Sequence, residues 1–324
     1  MHLWKCSRAL RYREIRRVNV APIVSLGFVL FVVGGACNAG DPVPSEINGT
    51  NVDPPIWLHG VWSRDWIERK GIKSNTLEVH YLQTPTHFAD MRIPRDRSGV
   101  AAAKSFADLT DEQLRSLTRQ NGFTGRTTVA GMVATWKHDI DYQPSDGTPD
   151  TGRLERVPPN QMHEHGLDGS YIEAWRSLTD GKGRFLVVRV AHSGRLSRTL
   201  VVVGDQFIYV RNRAKDLPSA ASFDALIEAT QPSRDQLMEY LDCEFAVGRV
   251  RGGRVPWEIE QSTLPWREGR HLEFVEQVSI RAAGSGLVPR EAGQDVWTVP
   301  VNTLSAEEIN RLFGEGAGGA RASP

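Results

Sequence analysis

Four polar residues at period-two spacing carry the clearest chemistry in the sequence. Tyr81 and Gln83 fall on one face of an alternating segment, and Asp90 and Arg92 on one face of the next. With Phe88 and Trp136 as aromatic walls, an inward-facing set of this kind suits a small amphiphile whose carboxylate or amide head is held by the arginine. The same residues suit a structural ion pair that closes one end of a barrel, because buried polar groups pair for satisfaction alone. A ligand site at Tyr81, Gln83, Asp90, Arg92 and Trp136 is one expectation; an interior filled by side chains is the other.

His163-Glu164-His165 sets two imidazoles on one side of a strand, with Asp139 and Asp141 as candidate neighbours. No third and fourth ligands can be named, and the i, i+4 helical spacing of a zinc protease is missing. The segment reads as a solvated loop, and no metal or cofactor is expected. The sequence has no Gly-x-Ser-x-Gly elbow, P-loop, kinase set or paired Cys-x-x-Cys. Gly314 to Gly319 is glycine-rich but follows no strand, and Leu287-Val-Pro-Arg290 reads as native loop. A non-enzymatic protein is expected.

The elements that must position these residues are mostly strands. Leu77–Tyr81, Phe88–Ile93, Tyr171–Arg176, Phe185–Ala191, Thr199–Val203, Phe207–Arg211 and Leu272–Ile280 alternate or run apolar, with turn signals between them. Leu186–Val190 and Leu200–Val203 are apolar on both faces and must be covered on both. Helices are expected at Asp108–Gln120, Phe223–Thr230, Arg234–Leu241 and Ser305–Phe313, the last with a Ser305/Glu308 capping box. The fold class is mainly β, as barrels or a sandwich.

The sequence echoes itself. Phe123-Thr-Gly-Arg126, Trp136, Tyr142-Gln-Pro144 and Gly152-Arg-Leu-Glu155 are matched in order by Phe245-Ala-Val-Gly-Arg249, Trp257, Leu264-Pro265 and Gly269-Arg-His-Leu-Glu273. Two related β-units are expected, spanning 57–167 and 168–303, with a seam near Leu167–Ser170. A short helix and a frayed tail follow over 304–324.

The first thirty-nine residues read as an export signal. A basic stretch to Arg17 precedes the apolar run Ile23–Val33 and then small residues, a pattern too short for a spanning anchor. Residues 40–56 read as a flexible spacer. Cys37 after Gly35-Ala36 resembles a lipobox and would be lipidated; simple cleavage after Ala36 or Ala39 is the alternative. The chain holds 39 Lys+Arg and 39 Asp+Glu, but six of the basic groups and only one acid stand in this leader. The remainder is acidic, so no nucleic acid partner is expected. The expected location is periplasmic, or membrane-attached by a lipid only.

Gly60-Val61-Trp62 at the head of the first strand resembles the lipocalin signature. Tyr81-Leu-Gln-Thr-Pro85, Phe88-Ala-Asp-Met-Arg-Ile-Pro94, Phe123-Thr-Gly-Arg126, Trp136, Ile140-Asp-Tyr-Gln-Pro144 and Ser262-Thr-Leu-Pro-Trp-Arg-Glu-Gly269 extend the likeness. Together they resemble bacterial relatives of a fungal (HRI-type) family of paired lipocalin-like, or calycin, barrels, named for interacting with a casein-kinase-I homologue. The resemblance implies two calycin-like barrels over roughly Trp57 to Val299 and supplies no catalytic residues. The export signal departs from the fungal pattern, so a cytosolic partner does not carry over. Two functions follow as expectations: an exported protein that binds a small amphiphile in a barrel, or an envelope interaction module with filled barrels.

Overall fold

The computed structural model describes residues 50–178, 183–250, 257–277 and 294–313. The signal, Cys37, most of the spacer, Leu287–Arg290 and the tail lie outside them. The first half comprises β1 (Gly60–Arg69), β2 (Ile72–Ser74), β3 (Leu77–Gln83), β4 (His87–Pro94), α1 (Asp111–Leu117), β5 (Asn121–Ala130), β6 (Val133–Asp141), β7 (Asp150–Val157), β8 (Gln161–Gly166) and β9 (Ile172–Ser177). Every pairing is antiparallel, in the order β1-β3-β4-β5-β6-β7-β8-β9. Strand β9 pairs back onto β1, so eight strands close a barrel, with β2 hairpinned onto the end of β1. Period-two alternation sends Val79, Tyr81, Phe88, Trp136, Leu154, Met162 and Trp175 inward. Trp62 is buried at one end, its indole donating to the Leu58 carbonyl at 2.8 Å. The seam expected near Leu167–Ser170 falls before β9; closing the β1 edge draws that strand into the first unit.

The second half comprises β10 (Phe185–His192), β11 (Arg195–Val203), β12 (Gln206–Arg211), α2 (Phe223–Thr230), α3 (Arg234–Leu241), β13 (Glu244–Arg249), β14 (Glu258–Ser262), α4 (Phe274–Gln277), β15 (Asp295–Asn302) and α5 (Ala306–Phe313). Its six strands pair in the order β14-β13-β12-β11-β10-β15, and no pairing closes them among the described residues. A second closed barrel is therefore not part of the described structure. The order nonetheless repeats six strands of the barrel, β6-β5-β4-β3-β1-β9. Helices enter at the same connection in both, α1 between β4 and β5, and α2 with α3 between β12 and β13.

Two glycines fix the equivalence residue by residue. The β5–β6 ladder shifts register between Thr124 and Gly125, and the β13–β14 ladder between Val247 and Gly248. A Cβ on Gly125 would lie 1.9 Å from the Lys137 carbonyl oxygen, and one on Gly248 would lie 2.0 Å from that of Glu258. Both bulges need the missing side chain. Gly125 pairs with Phe88 and Gly248 with Phe207; four pairs further on, Arg92 faces Asn121 and Arg211 faces Glu244. On the closing strands, Arg64 faces Trp175 and Val190 faces Trp297.

The two halves share one core. Leu82, Ala89, Met91 and Ile93 on the outer wall of the barrel pack with Val187, Val201, Ile208, Val210 and the leucines of α1 and α3. Gly122 leaves the space that the Phe245 ring fills, 2.8 Å from where a Cβ would stand. The opposite face of the six-stranded sheet carries Leu186, Val188, Leu200 and Val202, packed with Trp257, Phe274 and Leu312. Covering on both sides accounts for the doubly apolar strands. Capping boxes start α1 at Thr110, α3 at Ser233 and α5 at Ser305. The strand expected over Leu272–Ile280 is instead helical at Phe274–Gln277, where Leu272, Phe274 and Val275 all reach the core. Val278 and Ile280 lie outside the described residues.

Candidate functional site

Alternation brings all five expected site residues into the barrel. Tyr81 and Asp90 face each other across β3 and β4, and Gln83 and Arg92 lie two residues along on the same faces. The Tyr81 hydroxyl donates to Gln83 Oε1, and Trp136 Nε1 donates to Tyr81 Oη at 3.0 Å. Thr127 donates to Gln83 Oε1 at 2.8 Å, while the Gln83 amide donates to the Thr84 carbonyl at 2.6 Å. Asp90 takes a two-point bond from Arg92, 2.8 Å from Nε and 3.3 Å from Nη2. These polar groups are spent on one another.

Three further ionisable groups, Arg64, Glu164 and Glu173, complete the interior. Arg64 is buried against Glu173, which also lies 3.5 Å from Arg92. Glu164 faces Glu173 across β8 and β9 and accepts from the Tyr171 hydroxyl at 2.7 Å. Burial, and then the Glu173 carboxylate, hold the Glu164 carboxyl far above the usual range, so it keeps its proton near neutrality. Gly152 and Gly166 make room for this pair. A Cβ at Gly152 would stand 2.8 Å from Glu164 Cγ, and one at Gly166 would stand 2.8 Å from Tyr171 Cδ1.

At one rim His138 lies between two carboxylates, Nδ1 at 2.6 Å from Asp141 and Nε2 at 3.0 Å from Asp150, with its ring stacked on Phe123 at 4.4 Å. Burial opposes its charge, but the bonds to Asp141 and Asp150 outweigh that and push its pKa up to about 9. Inside the rim, a cavity of about 20 Å³ is bounded by Tyr81, Asp90, Arg92, Trp136, Glu164 and Trp175, among others. That is room for one water, against about 300 Å³ or more for an organic ligand. Trp175 Nε1, on its wall, makes no hydrogen bond to protein.

The larger recess lies on the second half. An open groove of about 1610 Å³ runs over the sheet face that carries Arg198, Tyr209, Arg211 and Glu244, with Phe274 of α4 on its wall. Arg198 is paired with Asp295, Arg211 with Asp242 at 2.7 Å, and Arg267 with Glu244 at 3.0 Å, while Arg213 donates to the backbone carbonyls of Tyr240, Asp141 and Tyr142. Arg211 is the counterpart of Arg92, and Asp295 occupies the place of Glu173, two residues before the matching tryptophan. The motif is repeated with one copy enclosed and the other open.

Alternation on β3 and β4 gave Tyr81, Gln83, Asp90 and Arg92, but Arg64, Glu164 and Glu173 were missed. Glu164 sits within His163-Glu164-His165, which forms β8 rather than a solvated loop. Its alternation, imidazoles outward and carboxylate inward, was the available signal. Asp139 and Asp141 are engaged elsewhere, Asp139 with Arg189 at 2.9 Å and Asp141 with His138. Comparison with family models, curated proteins and solved structures finds no match to this chain.

Proposed function

We propose that this chain is a non-enzymatic interaction module of the cell envelope, in which the closed barrel is a filled scaffold and the groove of the second half meets the partner. The observation that carries this reading is the contrast between about 20 Å³ inside the barrel and about 1610 Å³ over the open sheet. Tyr81, Gln83, Asp90, Arg92 and Trp136 then maintain the barrel rather than grip an amphiphile. The titratable groups beside them have no space for a substrate. The arginines of the groove favour a polypeptide over a free anion, because Arg195, Arg198, Arg211 and Arg267 already hold carboxylates and Arg213 is bonded to backbone carbonyls. The shared strand order supports reading the second half as a relative of the barrel, in keeping with the paired-calycin resemblance.

The envelope location rests on the basic leader, the apolar run Ile23–Val33 and the small residues before Cys37. Lipidation of Cys37 would tether the module through its spacer. Native mass spectrometry of protein purified from its own envelope tests the whole reading. A copurified polypeptide, lost when Arg211 and Trp266, which both line the groove, are replaced, supports it. A retained amphiphile lost in Arg92→Met would overturn the filled-barrel part, and a chain beginning at Met1 in the cytoplasm would overturn the location.

A further inference from the structure

On the outer wall of the barrel, strands β7 and β8 bring a third donor to the two imidazoles. Glu155 is directly opposite His163 in the ladder, and His165 is the next outward residue of β8. Glu155 Oε2 lies 2.9 Å from His165 Nε2 and 3.9 Å from His163 Nδ1, and the three donor atoms all fall within 4.8 Å of one another. Ligands about 2.0–2.2 Å from a tetrahedral ion stand about 3.4 Å apart, between the two separations observed. Only rotamer adjustments are needed to bring the donors onto one centre.

We propose that Glu155, His163 and His165 form a surface site for a divalent transition-metal ion of the zinc class. Two imidazole nitrogens and one carboxylate oxygen are a borderline donor set, which favours zinc over the oxygen-seeking calcium or magnesium. The backbone fixes all three positions, because each donor sits inside a paired strand rather than on a loop. One flank is closed: Ala174 is opposite His163 on β9, and Trp66, opposite Ala174 on β1, has its ring 6.0 Å from that of His163. On β7 the exposed Arg153 faces His165, and the fourth position is left to water or to a group brought by another molecule. The site is independent of the groove and of the barrel interior.

The test is calorimetric titration of untagged, folded chain with Zn²⁺. One ion per chain is expected, with affinity reduced about tenfold or more in His163→Ala and again in Glu155→Gln. A Cu²⁺ titration should quench a component of the tryptophan fluorescence that is absent in Trp66→Phe. All four side chains point off the barrel, so the variants should keep the wild-type melting temperature; where one does not, His163→Gln replaces it. No saturable binding, or binding unchanged in the His163→Ala/His165→Ala double variant, would overturn the proposal.

Discussion

The Tyr171 phenol donates to Glu164 at 2.7 Å in a space kept open by two glycines, Gly152 beside the carboxyl and Gly166 beneath the ring. The hydrogen bond and its clearance come from two adjacent strands, β7 and β8, and the turn before β9. A methyl group at either glycine must displace a packed side chain. Gly152→Ala and Gly166→Ala should each lower stability by about 1–3 kcal/mol, the range for overpacking. Urea denaturation is the measurement, and a change within about 0.5 kcal/mol of zero would show that the wall gives way freely.

The protonation of the interior sets a direction for pH. His138 titrates near 9 in the folded chain against 6.5 unfolded, so its stabilisation is present below about pH 6.5 and is lost as pH rises through about 9. Glu164 is also raised, which means the folded state holds its proton more tightly and loses stability as that proton leaves. His87 acts oppositely but only lower down: burial, then the Arg189 charge, depresses it to about 4, so its penalty is confined below about pH 6.5. Melting temperature should therefore fall between about pH 6.5 and 9. Glu164→Gln, which imitates the neutral acid, should flatten that fall; a decline parallel to wild type would refute a protonated Glu164.

Arg64 and Glu173 are both almost wholly buried, at 4% and 2% exposure, and each is destabilising without the other. Arg64→Met should reduce stability by up to about 3–5 kcal/mol, since it leaves the buried Glu173 carboxylate only the more distant Arg92, which is already held by Asp90. Arg64→Met/Glu173→Leu should recover most of that loss, because Arg92 retains Asp90 and the interior stays balanced. Denaturation of the single and double variants separates these outcomes. Equal instability in both would mean that the pair shapes the barrel beyond balancing its charge.

What the sequence disclosed was set by distance along the chain. Alternation on β3 and β4 placed Tyr81, Gln83, Asp90 and Arg92 inside, and the helices expected over Phe223–Thr230 and Arg234–Leu241 are observed as α2 and α3. Both signals are local. Arg64 and Glu173 are separated by 109 positions, so nothing near either one marks them as partners. The same holds for Glu155 and His163, which depend on the β7–β8 register. The apolar spacing of Leu272 to Val275 fits a strand as well as a helical turn, and only the core on one side selects the helix. The echo of Phe123–Trp136 in Phe245–Trp257 located the repeated hairpin, but whether a sheet closes depends on which strand reaches its free edge.

The wall held in common by barrel and open sheet joins the two halves through one core. Val61, Leu82, Met91 and Ile93 face outward from the barrel and are nevertheless at most 1% exposed, because the second sheet and the helices stand against them. A chain ending after β9 would satisfy every ladder of its barrel and still offer water a row of aliphatic side chains, the kind of patch that drives self-association. The second half would be left with the complementary row. Neither half is therefore expected to persist as a soluble domain without the other.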